Sequence, residues 1–178
     1  MNTTSAPPLS NRVLQLNVGF LLSAGPGHHS DVSMEINDPV KIDDGLIANE
    51  IHGAIRLTRA KEGILAQTKV TVHIDRECSR CLDTFEHPID INVEELYAHP
   101  KPIDDNEFFV GGDAKLDLTP LLRAEILIAL SHRAFCRDNC QGLCQTCGIN
   151  LNHENCDCEQ EDIDPRMAKL KELLDAGD

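Results

Sequence analysis

The sequence predicts an α+β fold, mainly an antiparallel β-sheet, carrying one buried helix, a C-terminal cysteine cluster and a short C-terminal helix. Three observations carry this prediction. Alternating apolar residues recur in consecutive segments of the first half, one strongly apolar helical segment follows them, and six of eight cysteines come after that helix. Strands first and helix afterwards is the order of a sheet with helices to one side. Such a sheet either stays open or curls into a barrel.

The 178 residues suit one domain with a small appendage. We expect residues 1–135 to form the β-rich part, with its helix at about 119–131. Residues 136–178 then form a cysteine-rich segment and terminal helix packed on the same domain. Aromatic residues make up 3% of the chain and Trp is absent, so the core must be aliphatic.

Val13–Leu22 reads as a strand with partial alternation, ended by Gly25-Pro26-Gly27. Val32–Ile36 reads as a second strand before an Asn37-Asp38-Pro39 turn. Glu50–Thr58 alternates cleanly, with Ile51, Gly53, Ile55 and Leu57 on one side. After Lys61-Glu62-Gly63, Ile64–Ile74 alternates again, giving the clearest hairpin in the chain. Its second strand runs into Cys78. Pro88–Val93 is a further strand, and 98–114 reads as a long acidic loop. Thr119-Pro120 marks a helix start, with Thr as N-cap and Pro in the first turn. Leu121–Leu130 is apolar on most sides, as a buried helix is. Asp164-Pro165 opens a short helix with Met167, Leu170 and Leu174 on one face.

No apolar run approaches the ~20 residues of a membrane span, and Met1–Ser10 lacks the pattern of a signal peptide. The expected address is the cytoplasm. The net charge of −14 argues against a broad nucleic-acid surface, yet the charge is uneven. Residues 48–82 hold six basic and four acidic side chains, and 119–152 hold three and two. The acid is concentrated in 83–118, with ten acidic to two basic, and in 153–178, with nine to three. A local anion-binding patch and an acidic surface for a basic protein partner are both compatible with this distribution.

The cysteines carry the strongest chemical signal. Cys78 and Cys81 form one CxxC pair. Cys136, Cys140, Cys144, Cys147, Cys156 and Cys158 follow within 23 residues. In a reducing compartment such spacing points to metal rather than disulfides. Zinc takes four ligands tetrahedrally, and a two-residue gap lets one tight turn supply two thiolates. Eight cysteines match two four-cysteine sites, but spacing leaves the pairing open. Cys78 and Cys81 can join Cys144 and Cys147, or they can join Cys136 and Cys140; a single ion with spare thiols is a third arrangement. His153 is the nearest alternative ligand. If the two cysteine groups share an ion, zinc staples the hairpin end to a segment 54 residues further on.

Nothing in the chain reads as an active site. All-cysteine zinc sites are normally closed to substrate. The CxxC pair follows a hairpin strand rather than opening a βαβ unit, and P-loop, GxGxxG and GxSxG motifs are absent.

Four segments in order resemble the YceD-type family, the large ribosomal RNA subunit accumulation proteins of bacteria and plant organelles. Cys78-Ser79-Arg80-Cys81-Leu82-Asp83-Thr84-Phe85 is similar to the family's C-x-R-C-L-x-x-F signature. Glu125-Ile126-Leu127-Ile128-Ala129-Leu130 resembles its helix. Gly142 to Asn152 resembles its G-L-C-x-x-C-G-x-N-L-N segment, and Asp164-Pro165-Arg166 with Leu170, Leu173 and Leu174 resembles its tail. The helix ends in Leu130-Ser131-His132 where the family often has Leu-Pro. The resemblance implies a role in 23S ribosomal RNA accumulation and hence large-subunit assembly; with no active-site motif in the chain, the expected role is non-enzymatic. Direct RNA binding is the mechanism it implies in some members, and because some lack the C-terminal cysteines, the zinc is expected to be structural. The expected RNA contacts are Arg56, Arg59, Lys61, Arg76, Arg80, Arg133 and Arg137, which lie in the two net-basic segments. The expected partners are 23S ribosomal RNA or a pre-large-subunit particle, with a basic ribosomal protein as the alternative.

Overall fold

The computed structural model describes residues 9–100 and 108–158. The C-terminal helix expected near 164–174 lies outside the described residues, as does the middle of the 98–114 segment. Among the described residues the order is a 3-10 turn (Asn11–Leu14), β1 (Gln15–Asn17), α1 (Gly19–Ser23), β2 (His29–Ile36), β3 (Val40–Asp43), β4 (Leu46–Ala48), β5 (Glu50–Arg59), β6 (Gly63–Glu77), β7 (Thr84–Ala98), β8 (Lys115–Asp117) and α2 (Thr119–Leu130).

The centre is a four-stranded antiparallel sheet in the order β2-β5-β6-β7. Its strands keep an unbroken register, Ile51 facing Val72 and Val72 facing Ile89. Period-two alternation puts Ile51, Ile55, Leu57, Val70, Val72, Ile74, Ile89 and Ile91 on one buried face. Leu14, Val18, Leu21, Leu118, Leu122 and Ile126 lie against that face, together with the β3–β4 hairpin. The opposite face is polar, so the sheet is covered on one side, as antiparallel sheets commonly are.

The sheet does not close into a barrel. β2 and β7 are its two edges: the only strands they pair with among the described residues are β5 and β6, and a single bridge from Ala98 to Phe109 touches the outer side of β7. The short strands form separate two-stranded ribbons, β1 with β8 and β3 with β4, and these cover the core without bridging the edges.

Three local expectations are corrected. Val13–Leu22 is not a strand: only Gln15–Asn17 is extended, and the Asn17 Oδ1 accepts the Gly19 N–H at 3.0 Å to start α1. The helix α2 is not capped by the Thr119 side chain. Asp117 Oδ1 accepts the Thr119 N–H at 2.8 Å instead, with Pro120 in the first turn. Burial of α2 is also one-sided: Leu121, Leu122 and Ile126 are buried, while Ile128 is 59% exposed. No helix among the described residues is long and apolar enough to cross a membrane.

His52 on the polar face has a carboxylate on each ring nitrogen, Glu35 at 3.1 Å and Glu50 at 3.0 Å. Two acceptors require two donated protons, so the imidazolium is favoured, and Glu50 followed by Glu35 raises its pKa above 6.5. A raised folded value stabilises fully below the unfolded one and fades as pH climbs through the folded one. The urea midpoint is therefore expected to fall as pH rises above 6.5, and a His52→Gln variant to lose that part of the slope. An unchanged slope in the variant would refute the assignment.

Candidate metal centres and their surroundings

The eight cysteines assemble into two clusters. Cys78, Cys81, Cys136 and Cys140 form the first; Cys144, Cys147, Cys156 and Cys158 form the second. Within each, the four sulfurs lie within 4.8 Å of one another. This is the second of the two pairings compatible with spacing. Cys78 Sγ is 3.8 Å from Cys140 Sγ, and Cys81 Sγ is 3.7 Å from Cys136 Sγ. Sulfurs at about 2.3 Å from a common tetrahedral centre are ~3.8 Å apart, so the first cluster has the spacing a zinc ion requires. Either cluster could hold a metal ion.

Backbone geometry makes the clusters. β6 ends at Glu77 and the chain turns at once, with Leu82 N–H donating to Cys78 O at 3.0 Å. The second knuckle repeats this turn, Gly148 N–H donating to Cys144 O at 2.9 Å. Both turns need a residue at positive φ, and the two meet the need differently. Gly148 takes φ +75 without cost, whereas Leu82 takes φ +62 with 56% of its surface exposed. Ala134 O accepts the Ser79 N–H at 2.9 Å, which brings Cys136 and Cys140 alongside the first knuckle.

The thiols are tuned by these turns. Burial opposes ionisation of Cys78, but the N–H groups of Cys81, Cys136 and Arg80 more than offset it and lower the thiol to about 6. Cys81 is pushed up to about 12 by burial and by the neighbouring thiols. In the second cluster the Cys147 and Thr146 N–H groups lower Cys144 to about 6, while Cys147 and burial push Cys158 up to about 12. In the first cluster Cys78 and Cys140 are lowered while burial raises Cys81 and Cys136, and in the second Cys144 is lowered while Cys156 and Cys158 are raised; a divalent cation resolves either arrangement by displacing the remaining protons.

The first cluster is largely buried and the second is more open, with Cys147 exposed. A polar network joins them. Asp83 accepts from Asn150 Nδ2 at 2.9 and 3.0 Å and pairs with His153 Nε2 at 3.0 Å; Asn150 first and His153 second hold its carboxyl below the usual range. Asn152 donates to Cys140 Sγ at 3.4 Å and accepts from Arg137 and from the Gln141 N–H. Leu143 N–H donates to Arg80 O at 3.1 Å. His153 is therefore a partner of Asp83, and each cluster offers four thiols that could serve as ligands without it. Asp83, Asn150 and Asn152 have structural roles that spacing did not reveal; the only sequence signal was the Asn-x-Asn that follows the second knuckle.

The seven basic residues fall into two groups. Arg59 and Lys61 lie at the β5–β6 turn and Arg56 opposite Gln67, whereas Arg76, Arg80, Arg133 and Arg137 lie around the first cluster, about 30–45 Å away along β6. Their charges are met differently. Arg56 faces the Asp31 carboxylate at 2.7 and 3.1 Å. Arg59 donates to Ala60 O and Gly63 O, Arg76 to Leu130 O and His132 O, and Arg80 to Asp138 O and Cys140 O. These acceptors are neutral carbonyls, which fix the guanidinium without cancelling its charge. Arg80 also stacks on Phe135, 4.4 Å from the ring centroid, and Phe135 is itself 41% exposed.

The family model for large ribosomal RNA subunit accumulation protein YceD matches residues 66–174. An uncharacterised protein of Mycobacterium tuberculosis is 32% identical over 163 residues, covering 86% of this chain and 78% of its own length. The uncharacterised protein YlbN of Bacillus subtilis is 29% identical over 104 residues, covering 57% of this chain and 60% of its own. A chloroplastic YCED homologue of Zea mays, named for large ribosomal RNA subunit accumulation, is 36% identical over 61 residues, covering 34% of this chain and 21% of its own length. No solved structure matches the chain. The family match takes in both knuckles, β7 and α2, and on that ground the chain belongs to the YceD family of large ribosomal RNA subunit accumulation proteins.

Proposed function

We propose that this protein is a non-enzymatic cytoplasmic factor for 23S ribosomal RNA accumulation and large-subunit assembly, and that it contacts ribosomal RNA at the end of the sheet that carries the first cysteine cluster. The observation that carries the RNA contact is the set of arginines there. Arg80 and Arg137 are exposed and held by neutral oxygens that leave their charge unneutralised, Arg76 is half-buried on the carbonyls at the C-terminal end of α2, and Arg80 rests on a half-exposed aromatic ring. Fixed guanidinium groups suit phosphate, and an accessible ring suits an unstacked base. Arg59 and Lys61 give a second, distant contact, and Arg56 contributes less because Asp31 balances it.

Zinc in each four-thiolate cluster is the cofactor this reading includes. It would be held by Cys78, Cys81, Cys136 and Cys140 and by Cys144, Cys147, Cys156 and Cys158. A closed thiolate site supplies cross-linking rather than catalysis.

The test is affinity for a 23S ribosomal RNA transcript measured across salt concentrations. Arg80→Gln, Arg133→Gln and Arg137→Gln together are expected to weaken binding and to flatten the logarithmic salt slope by about one for each phosphate left unneutralised. If affinity and slope are unchanged in a variant that keeps its metal content, the RNA contact lies elsewhere.

A second reading, an acidic binder of a basic large-subunit protein, is favoured by one feature. Glu86, Asp90 and Glu94 of β7 meet His73, Thr71 and Gln67 rather than any arginine or lysine.

A further inference from the structure

We infer that the outer edge of β7 binds an extended basic peptide by strand addition, with lysine or arginine at every fourth position. The inference rests on the second reading above and names its site and geometry.

β7 is fifteen residues long and pairs with β6 on one side only. Such an edge leaves a row of N–H and C=O groups open to another strand. The chain itself shows which residues turn their backbone outward. Ala98 N–H donates to Phe108 O at 3.1 Å, and Val110 N–H donates to Ala98 O at 3.0 Å, so Ala98 points both groups away from β6. Backbone direction alternates along a strand, and the β6–β7 register has no shift. The even-numbered residues from Thr84 to Leu96 therefore face the edge. Pro88, which has no N–H to give, falls in this set, as a proline in a continuous strand must.

The same even-numbered positions place Glu86, Asp90 and Glu94 on the polar face, four residues and ~13 Å apart. The register sets Asp75 opposite Glu86, Thr71 opposite Asp90 and Gln67 opposite Glu94; His73 reaches Glu86 diagonally at 3.4 Å, and Lys69 lies opposite Asn92. The other edge differs. On β2, Asp31 is balanced by Arg56 and Glu35 by His52. Among the described strands, β7 combines the longer free edge with carboxylates that no arginine or lysine meets, Asp90 and Glu94 bonding neutral groups and Glu86 facing His73 at 3.4 Å. An added strand would set every fourth side chain directly across from one of these carboxylates, where opposite charges stabilise a sheet pair. The chain's own C-terminal stretch, 153–178, does not fit this edge by charge, with nine acidic residues to three basic.

At Ala98 the edge already takes up an extended segment, Phe108–Val110. Beside it the Leu96 N–H is taken by Glu95 Oε1 at 3.0 Å; from Thr84 to Glu94, among the described residues, no other strand pairs with the edge.

The experiment measures binding of a fluorescent synthetic peptide, with lysine at every fourth position and threonine or valine between, to the full chain. Two N-methylated versions carry the methyl group at alternate residues, one in each register. Strand addition uses only alternate N–H groups, so one version is expected to lose about tenfold or more in affinity while the other binds as before. Glu86→Gln, Asp90→Asn and Glu94→Gln combined are expected to weaken binding about tenfold. Asn92→Pro, which copies Pro88 at the next edge position but one, is expected to weaken it with the thermal transition retained. Equal binding by both methylated peptides, abolished by salt, overturns strand addition but leaves a basic partner standing. No binding of any peptide, with RNA binding retained, overturns the basic-partner reading as well.

Discussion

Stripping the protein of metal with a strong chelator under reducing conditions is expected to free residues 134–158 from the sheet while β5, β6 and β7 stay paired. The segment has little else to hold it. Its buried side chains are Ala134, Cys140 and Cys144, and the apolar cluster it joins consists of Cys78, Cys81 and Cys140 with Phe85 and Cys136 at its margin. Four-thiolate zinc sites supply about 10–16 kcal/mol in small domains, more than such a patch provides by burial. The sheet has its own core of aliphatic residues from β5, β6, β7 and α2 and does not depend on the cysteines. Limited proteolysis should accordingly cut between His132 and Cys158 only after chelation. Cys81→Ser should lower the metal content by one ion per chain and produce the same cleavage without chelator. An unchanged digestion pattern would show that the metal is not the staple.

Replacing Gly53 with alanine is expected to cost ~3–5 kcal/mol, a large share of the stability of a domain this size. Gly53 sits in the middle of β5, between Met34 of β2 and Val70 of β6. Its φ of +145 is one that side chains rarely adopt, and a Cβ there would lie 2.2 Å from Lys69 O and 2.7 Å from Val70 Cα. Both atoms are backbone and cannot swing aside. Gly27→Ala separates strain from collision, because Gly27 has φ +92 and nothing within 4 Å of a Cβ. That variant is expected to lose only ~1–2 kcal/mol. Equal urea midpoints for the two would mean that β5 and β6 shift apart freely, contrary to the unbroken ladder.

The central hairpin was legible because both its strands alternate over nine residues or more. Expected limits of 50–58 and 64–74 became Glu50–Arg59 and Gly63–Glu77. The expected 88–93 is shorter than β7 because Glu86, Glu94 and Glu95 look like loop in sequence. On an edge strand with one wet face they are ordinary. The β3–β4 hairpin and β8 escaped because three or four residues are too few to show a period. The N-terminal apolar run was misread for a related reason: Val13, Leu14, Leu16, Val18 and Leu21 follow no fixed repeat, and Asn17 decides the local turn. Two four-cysteine sites could be counted from spacing. Their pairing could not, since no local rule fixes how 54 intervening residues bring Ala134 against Ser79.

The distance in sequence between the two halves of the first cluster sets a timetable for synthesis. At about 5–20 residues per second, the ribosome needs roughly 3–11 s to travel from Cys81 to Cys136. The β5–β6 hairpin closes within microseconds of emerging, so Cys78 and Cys81 wait as a formed but half-built cradle through the making of β7 and α2. Cys78 then stands without the Cys136 N–H and the other neighbours that later enclose it. Cys136 and Cys140 complete the site, and the nascent chain is open to oxidation at that turn for as long as they are missing.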